Sequence, residues 1–187
     1  MIRMSTAVYY LSIVCLVSTI VLSMTSDAEA QLYDYDVEER IEELGIELGE
    51  PSAPTANYVK AVRTGNLVFL SGHGPDKPDG GLVRGKVGQE LGVKEGQEAA
   101  RLTGISMLST LKAEIGDLNR VRRVVKATGM VNATADYTQH SQVVNGFSDL
   151  MVEVFDDRGK HARAAVGMGS LPGNIPVEIE MIVEVAD

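Results

Sequence analysis

The sequence predicts an α+β domain in which two main helices pack on one face of a mixed β-sheet. Three observations predict it. Two stretches of helical periodicity, Val93 to Ile115 and Asp136 to Phe155, flank the β-branched run Val121 to Val131. Segments rich in Val, Phe and Tyr stand on either side of Gly65-Asn66 and read as a hairpin. The chain closes on Val177-Glu178-Ile179-Glu180-Met181-Ile182-Val183-Glu184-Val185, whose alternation is that of a half-buried strand.

The ends of the 187-residue chain must be separated from this domain. Met1 to Arg3 make a positive start, Ala7 to Met24 carry no charge, and Ala28-Glu29-Ala30 has the small-x-small form of a cleavage site. Residues 1–30 therefore read as a signal peptide and the protein as exported, periplasmic or secreted, with no stable membrane association after cleavage. The apolar stretch touches the lower limit for a spanning helix, so an uncleaved anchor stays open as an alternative. Cys15, the one cysteine, lies inside this leader behind Val14, which argues against a lipoprotein anchor. The remaining chain has no thiol for disulfides, nucleophilic catalysis or thiolate metal binding. The net charge of −9 stays clearly negative without the leader, which removes only Arg3, Asp27 and Glu29, and such a surface repels phosphate backbones.

Residues 31–54 read as an N-terminal helix and linker. Val37, Ile41, Leu44 and Leu48 recur at helical spacing among glutamates, predicting a helix from Val37 to Leu48, with Pro51 to Pro54 as the linker. Residues 55–187 form the main domain. Tyr58 to Thr64 and Leu67 to Ser71 make the first hairpin, and Gly72 to Gly92 is mostly loop. Gly80 to Lys86 copies the glycine and lysine spacing of a phosphate-binding loop. Val87 stands where a hydroxyl residue would bind magnesium, no buried strand precedes Gly80, and Gly88 and Gly92 interrupt any helix that should follow, so the match is rejected. The Val93–Ile115 helix carries an Ala100, Thr103, Met107, Leu108, Leu111, Ile115 stripe and stops at Gly116. The second helix buries Tyr137, Val143, Val144, Phe147, Met151 and Val154 and ends at Asp156-Asp157-Arg158-Gly159.

A final hairpin is expected. Arg163 stands near the start of the small-residue strand Ala162-Arg163-Ala164-Ala165-Val166-Gly167-Met168. The chain turns at Leu171-Pro172-Gly173-Asn174 and returns through Glu178. A guanidinium is a planar fork that matches a carboxylate with two parallel charge-assisted bonds, and flanking Ala and Gly leave room for a ligand. Glu178 would then sit nearby as a proton acceptor. The alternative is that Arg163 simply pairs with Glu178 or Glu180 across the hairpin. His73, His140 and His161 have no mutual spacing that suggests a metal site, and none of them is assigned a catalytic role.

Four patches, in this order and spacing, resemble the Rid (YjgF/UK114) family of imine and enamine deaminases. They are Tyr58-Val59-Lys60-Ala61-Val62, Val68 to Pro75 with Ser71-Gly72 at its centre, Asn145, and the block from Ala162-Arg163-Ala164-Ala165 through Leu171-Pro172 to Glu178-Ile179-Glu180. The resemblance implies a chorismate-mutase-like fold and a homotrimer with clefts between subunits. There Arg163 would hold the carboxylate of a small imino or 2-keto acid, and Glu178 with the backbone around Ala165 would position a water. Tyr58, Ser71 and Asn145 would line the cleft. The implied reaction is hydrolysis of 2-imino or enamino acids to 2-keto acids and ammonia, with no metal or organic cofactor and no nucleic-acid partner. A non-catalytic trimeric binder of small carboxylates is the first alternative, and an endoribonuclease the second. The chain departs from better-known members in its N-terminal helix, in His73-Gly74, and in Val166-Gly167-Met168-Gly169 after the arginine.

Overall fold

The computed structural model describes residues 32–77 and 80–186. The signal peptide expected over residues 1–30, with its cleavage site and Cys15, lies outside the described residues. No helix of the described residues is long and apolar enough to cross a membrane.

The order of elements is α1 (Val37–Glu43), β1 (Ala61–Thr64), β2 (Leu67–His73), α2 (Val93–Ile115), β3 (Val121–Asn132), α3 (His140–Phe155), β4 (Ala162–Met168) and β5 (Val177–Val185). They build one five-stranded sheet of order β1-β2-β5-β3-β4. The predicted class holds: the sheet is mixed, with β3 and β4 parallel and the other pairs antiparallel. The long helices α2 and α3 pack against each other and against the sheet. Met107, Leu108 and Leu111 of α2 and Phe147, Leu150 and Met151 of α3 are fully buried there, in one core with Ile179, Met181 and Val183 of β5.

The expected final hairpin is corrected. β4 and β5 are not neighbours; β3 lies between them and pairs with both. A chain leaving α3 meets the free edge of β3, so β3, α3 and β4 form a parallel strand-helix-strand unit, the connection parallel strands require. Residues 169–176 then cross the end of β3 instead of turning tightly. Asn132 holds that crossing: its backbone N–H donates to Pro176 O at 2.9 Å and its side-chain amide to Ile175 O at 3.2 Å.

Other boundaries shift for local reasons. α1 ends at Glu43, short of the predicted Leu48. Gly45 adopts φ +67°, its N–H bonds Glu42 O and the N–H of Ile46 bonds Ile41 O. That paired reversal stops the helix and buries Ile46, leaving Leu44 exposed. β1 begins at Ala61, so Tyr58 precedes it in a bend. α3 begins at His140, later than Asp136, because the preceding segment is tied elsewhere: Thr134 N donates to Val87 O and Ala133 N to Met168 O. No helix follows Lys86 directly; the next one starts at Val93, as expected from the rejected phosphate-loop motif.

The N-terminal segment is part of this core. Tyr33, Val37 and Ile41 are buried, the Tyr33 hydroxyl donates to Val121 O at 2.6 Å and the Tyr35 hydroxyl to Val154 O at 2.9 Å. Asp36 caps α1 through the N–H groups of Glu38 and Glu39.

Candidate functional site

The sheet has one face under the helices and one open, and the site residues divide between them. In β4, Arg163 and Ala165 register with Ala127 and Gly129 of β3, which are buried beneath the helices. Ala165 packs against the core. Gly129 makes this close approach feasible: a Cβ there would stand 2.6 Å from a methyl of Val144, so the bare backbone lets α3 settle on β3.

Arg163 extends along α3 at the sheet edge. Its Nη1 donates to Asn145 Oδ1 at 2.9 Å and Ser148 Oγ at 3.0 Å, and its Nη2 to Ser141 O at 3.4 Å. Every one of these acceptors is neutral, and Arg163 makes none of the three salt bridges formed among the described residues. The guanidinium is exposed, oriented by its partners, and carries a charge they do not offset. That arrangement suits an arriving carboxylate. It also removes the alternative reading, since Arg163 pairs with neither Glu178 nor Glu180.

Glu178 lies on the other face. It registers with Met130, beside which stands Val166 of β4, and its side chain is half-buried against Gly72. A Cβ at position 72 would collide with the Glu178 carboxyl. Burial, and secondarily the charge of Glu180, raise the Glu178 carboxyl above its ordinary value. Ser71 is adjacent, its N–H bonded to Lys60 O at 3.0 Å and its hydroxyl donating to the same oxygen at 3.3 Å. His73 braces this stretch from beneath the irregular pairing between Leu70 and His73: Nδ1 bonds Ser71 O at 2.7 Å and Nε2 bonds Thr110 Oγ1 at 2.9 Å. Ser71 O can only accept, so Nδ1 carries a proton, and burial pushes the imidazole below its ordinary value. Tyr58 is exposed in the bend before β1.

The expectation that Glu178 sits near Arg163 is therefore corrected for a single chain. Arg163, Asn145 and Ala165 form one group under α3; Ser71 and Glu178 form another on the open side, with Tyr58 exposed near the start of β1. The open side is also apolar. Val62 pairs with Phe69 and Phe69 with Ile182, and Val59, Val62, Phe69, Val166 and Met168 are all exposed.

Sequence reasoning missed Ser141, Ser148 and His161. A signal existed for the first two: Ser141, Asn145 and Ser148 follow one another at helical spacing, a polar row beside the apolar stripe of the helix. His161 bonds Ser148 Oγ through Nε2 at 3.1 Å, a contact that no spacing rule announces.

With this geometry in hand, comparison with known proteins is informative. The family model described as "YjgF/chorismate mutase-like, putative endoribonuclease" matches residues 38–184. Protein TCP17 of Trypanosoma cruzi is 43% identical over 145 residues, covering 77% of this chain and 91% of that protein. A crystal structure of a protein with unknown function from Agrobacterium tumefaciens is 41% identical with a TM-score of 0.75, over 80% of this chain and 92% of that one. A crystal structure named as a "putative endoribonuclease" from Shewanella oneidensis is 28% identical with a TM-score of 0.78, over 81% of this chain and all (100%) of that one. RidA from a Psychrobacter species is 27% identical with a TM-score of 0.52, over 73% of this chain and 94% of that one. The fold and a family match spanning most of the chain agree, and the protein belongs to the Rid (YjgF/chorismate mutase-like) family.

Proposed function

We propose that this protein is a homotrimeric hydrolase that converts small 2-imino or enamino acids into 2-keto acids and ammonia in clefts between subunits. The observation that carries the reading is the Arg163 guanidinium, oriented by three neutral acceptors and left without a counter-charge. A small organic acid supplies the missing charge.

The separation of Arg163 from Glu178 supports the trimer. Each chain holds half of a site, on opposite sides of its sheet, and an exposed apolar face beside Glu178 calls for a covering surface. A neighbouring copy that lays the β4 edge of one chain over the open face of the next joins the two halves. The acid is then gripped by Arg163, which Asn145 and Ser148 orient, while Glu178, Ser71 and Tyr58 approach from the other subunit.

The chemistry needs only an oriented substrate, a water and a proton carrier. Water adds to the imine carbon and its proton passes through the Glu178 carboxylate to the imine nitrogen, giving a carbinolamine. The carbinolamine hydroxyl then loses its proton to the amine, the C–N bond breaks, ammonia leaves and the 2-keto acid remains. A carboxyl raised by burial exchanges protons nearer neutrality than an exposed one, which suits both transfers. The negative chain charge disfavours RNA as the substrate. The export expected from residues 1–30 would place this activity outside the cytoplasm.

The test is release of ammonia and keto acid from freshly generated 2-imino acids by the wild-type protein and by Arg163→Ala. The reading requires a loss of about a thousandfold in kcat/KM, the equivalent of two charge-assisted bonds. Equal rates would end it.

A further inference from the structure

Beyond the residues that line the cleft, a hydrogen-bond chain runs behind Arg163. We propose that Ser148 and His161 are positioning residues that hold the Arg163 guanidinium in its acid-binding pose, and that neutral His161 sets the direction of the chain. This inference rests on the reading of Arg163 as the carboxylate anchor.

The donors and acceptors allow one consistent assignment. His161 Nδ1 is 2.7 Å from Gly159 O, which can only accept, so Nδ1 carries the proton. Nε2 of the neutral ring is then an acceptor, and Ser148 Oγ, 3.1 Å away, donates to it. With its single proton committed, Ser148 turns its lone pairs outward, and Arg163 Nη1 donates into one of them at 3.0 Å. Asn145 Oδ1 accepts from the same nitrogen. The anchor is thereby fixed by a serine whose orientation is decided by the histidine behind it.

His161 is packed to stay neutral. Phe147 of α3 meets its ring edge to face at 5.5 Å, the Gly159 carbonyl and Ser148 hydroxyl take its two nitrogens, and Arg163 is the charged group acting on it. Burial first, and the Arg163 charge less, lower its proton affinity, while the Gly159 bond works the other way. Protonation reverses the relay. Nε2–H becomes a donor, Ser148 must accept from two cations at once, and its own proton loses its acceptor. The acid-binding pose is then disfavoured.

Binding of pyruvate, an unreactive 2-keto acid, to the full trimer by calorimetry tests this without turnover. Ser148→Ala and His161→Leu should each weaken binding about tenfold, with kcat for imino-acid hydrolysis nearly unchanged. His161→Gln, whose amide oxygen reaches the Nε2 position, should bind within about twofold of wild type. Wild-type affinity should fall as pH drops below the ordinary histidine range, and the His161→Gln variant should lack that part of the fall, which separates it from Glu178 titration. Wild-type affinity in both Ser148→Ala and His161→Leu, or identical pH profiles for wild type and His161→Gln, would overturn the positioning role. Unchanged pyruvate binding in Arg163→Ala would instead remove the anchor itself.

Discussion

The two halves of the candidate site are built differently. Around Arg163, one chain supplies everything: α3 lies directly on β3 at Gly129, its polar row faces β4, and three acceptors orient the cation. Around Glu178 the carboxyl rests on Gly72 amid exposed valine and phenylalanine side chains, on a face that nothing among the described residues covers. The difference teaches where assembly enters. An arginine seat built within one chain needs no partner to exist, whereas the half-buried acid on its apolar face gains, on the proposed reading, its working environment when another surface closes over it.

The strongest way to break this contrast is to damage the open face without touching the anchor. Phe69→Glu introduces charge where Phe69 is exposed between Val62 and Ile182. It should yield folded monomers by analytical ultracentrifugation and a loss of deamination of about a thousandfold, because the halves no longer meet. Full activity in a monomer would refute the shared cleft.

Next in size, Glu178→Gln should lower kcat about a hundredfold, within the range of general acid-base groups, and leave pyruvate affinity within about threefold. A non-catalytic carboxylate binder would show no turnover to lose, which single-turnover measurement on the wild type decides.

The anchor half is sharpened by Gly129→Ala. The new methyl would press on Val144, so unfolding free energy should drop by about 1–3 kcal/mol in urea titration, with a weaker hold on pyruvate as α3 lifts from β4. Stability lost with affinity kept would uncouple the helix seat from the anchor.

The smallest effect concerns pH. Burial and Glu180 raise the Glu178 carboxyl in the folded state, so the folded chain binds that proton more tightly than the unfolded chain does. Its contribution to stability is greatest below the ordinary carboxylate range and is lost as pH rises through the folded-state value. Unfolding free energies of wild type should therefore decline over that window relative to Glu178→Gln, measured between about pH 4 and pH 7.

Much of this was legible in the residues. Val93–Ile115 appears as predicted because an apolar stripe and Gly116 define it locally. The partition of residues between the two faces of β5 follows directly from its alternation. Strand pairing was less legible: β4 and β5 follow one another in the chain, yet β3, joined to β4 through α3, claims the space between them. Alternation sets which way a side chain points and says nothing about the neighbouring strand. For the same reason Arg163 was singled out by its residue type while its partners were not: Asn145 was expected only to line the cleft, and Ser148 and His161 emerged from the fold.

The layout of the Arg163 seat also bears on the order in which the molecule forms. Its acceptors Ser148, Asn145 and Ser141 lie only 15, 18 and 22 positions earlier in the chain. The β2–β5 ladder, by contrast, joins segments as remote as Leu67 and Glu184, 117 positions apart. Closing the shorter loops costs less entropy, so during refolding the amides of α3 and β4 should gain protection from hydrogen exchange before those of β2 and β5. The Arg163 half would then be ready while Glu178 is still waiting for its strand to find its place.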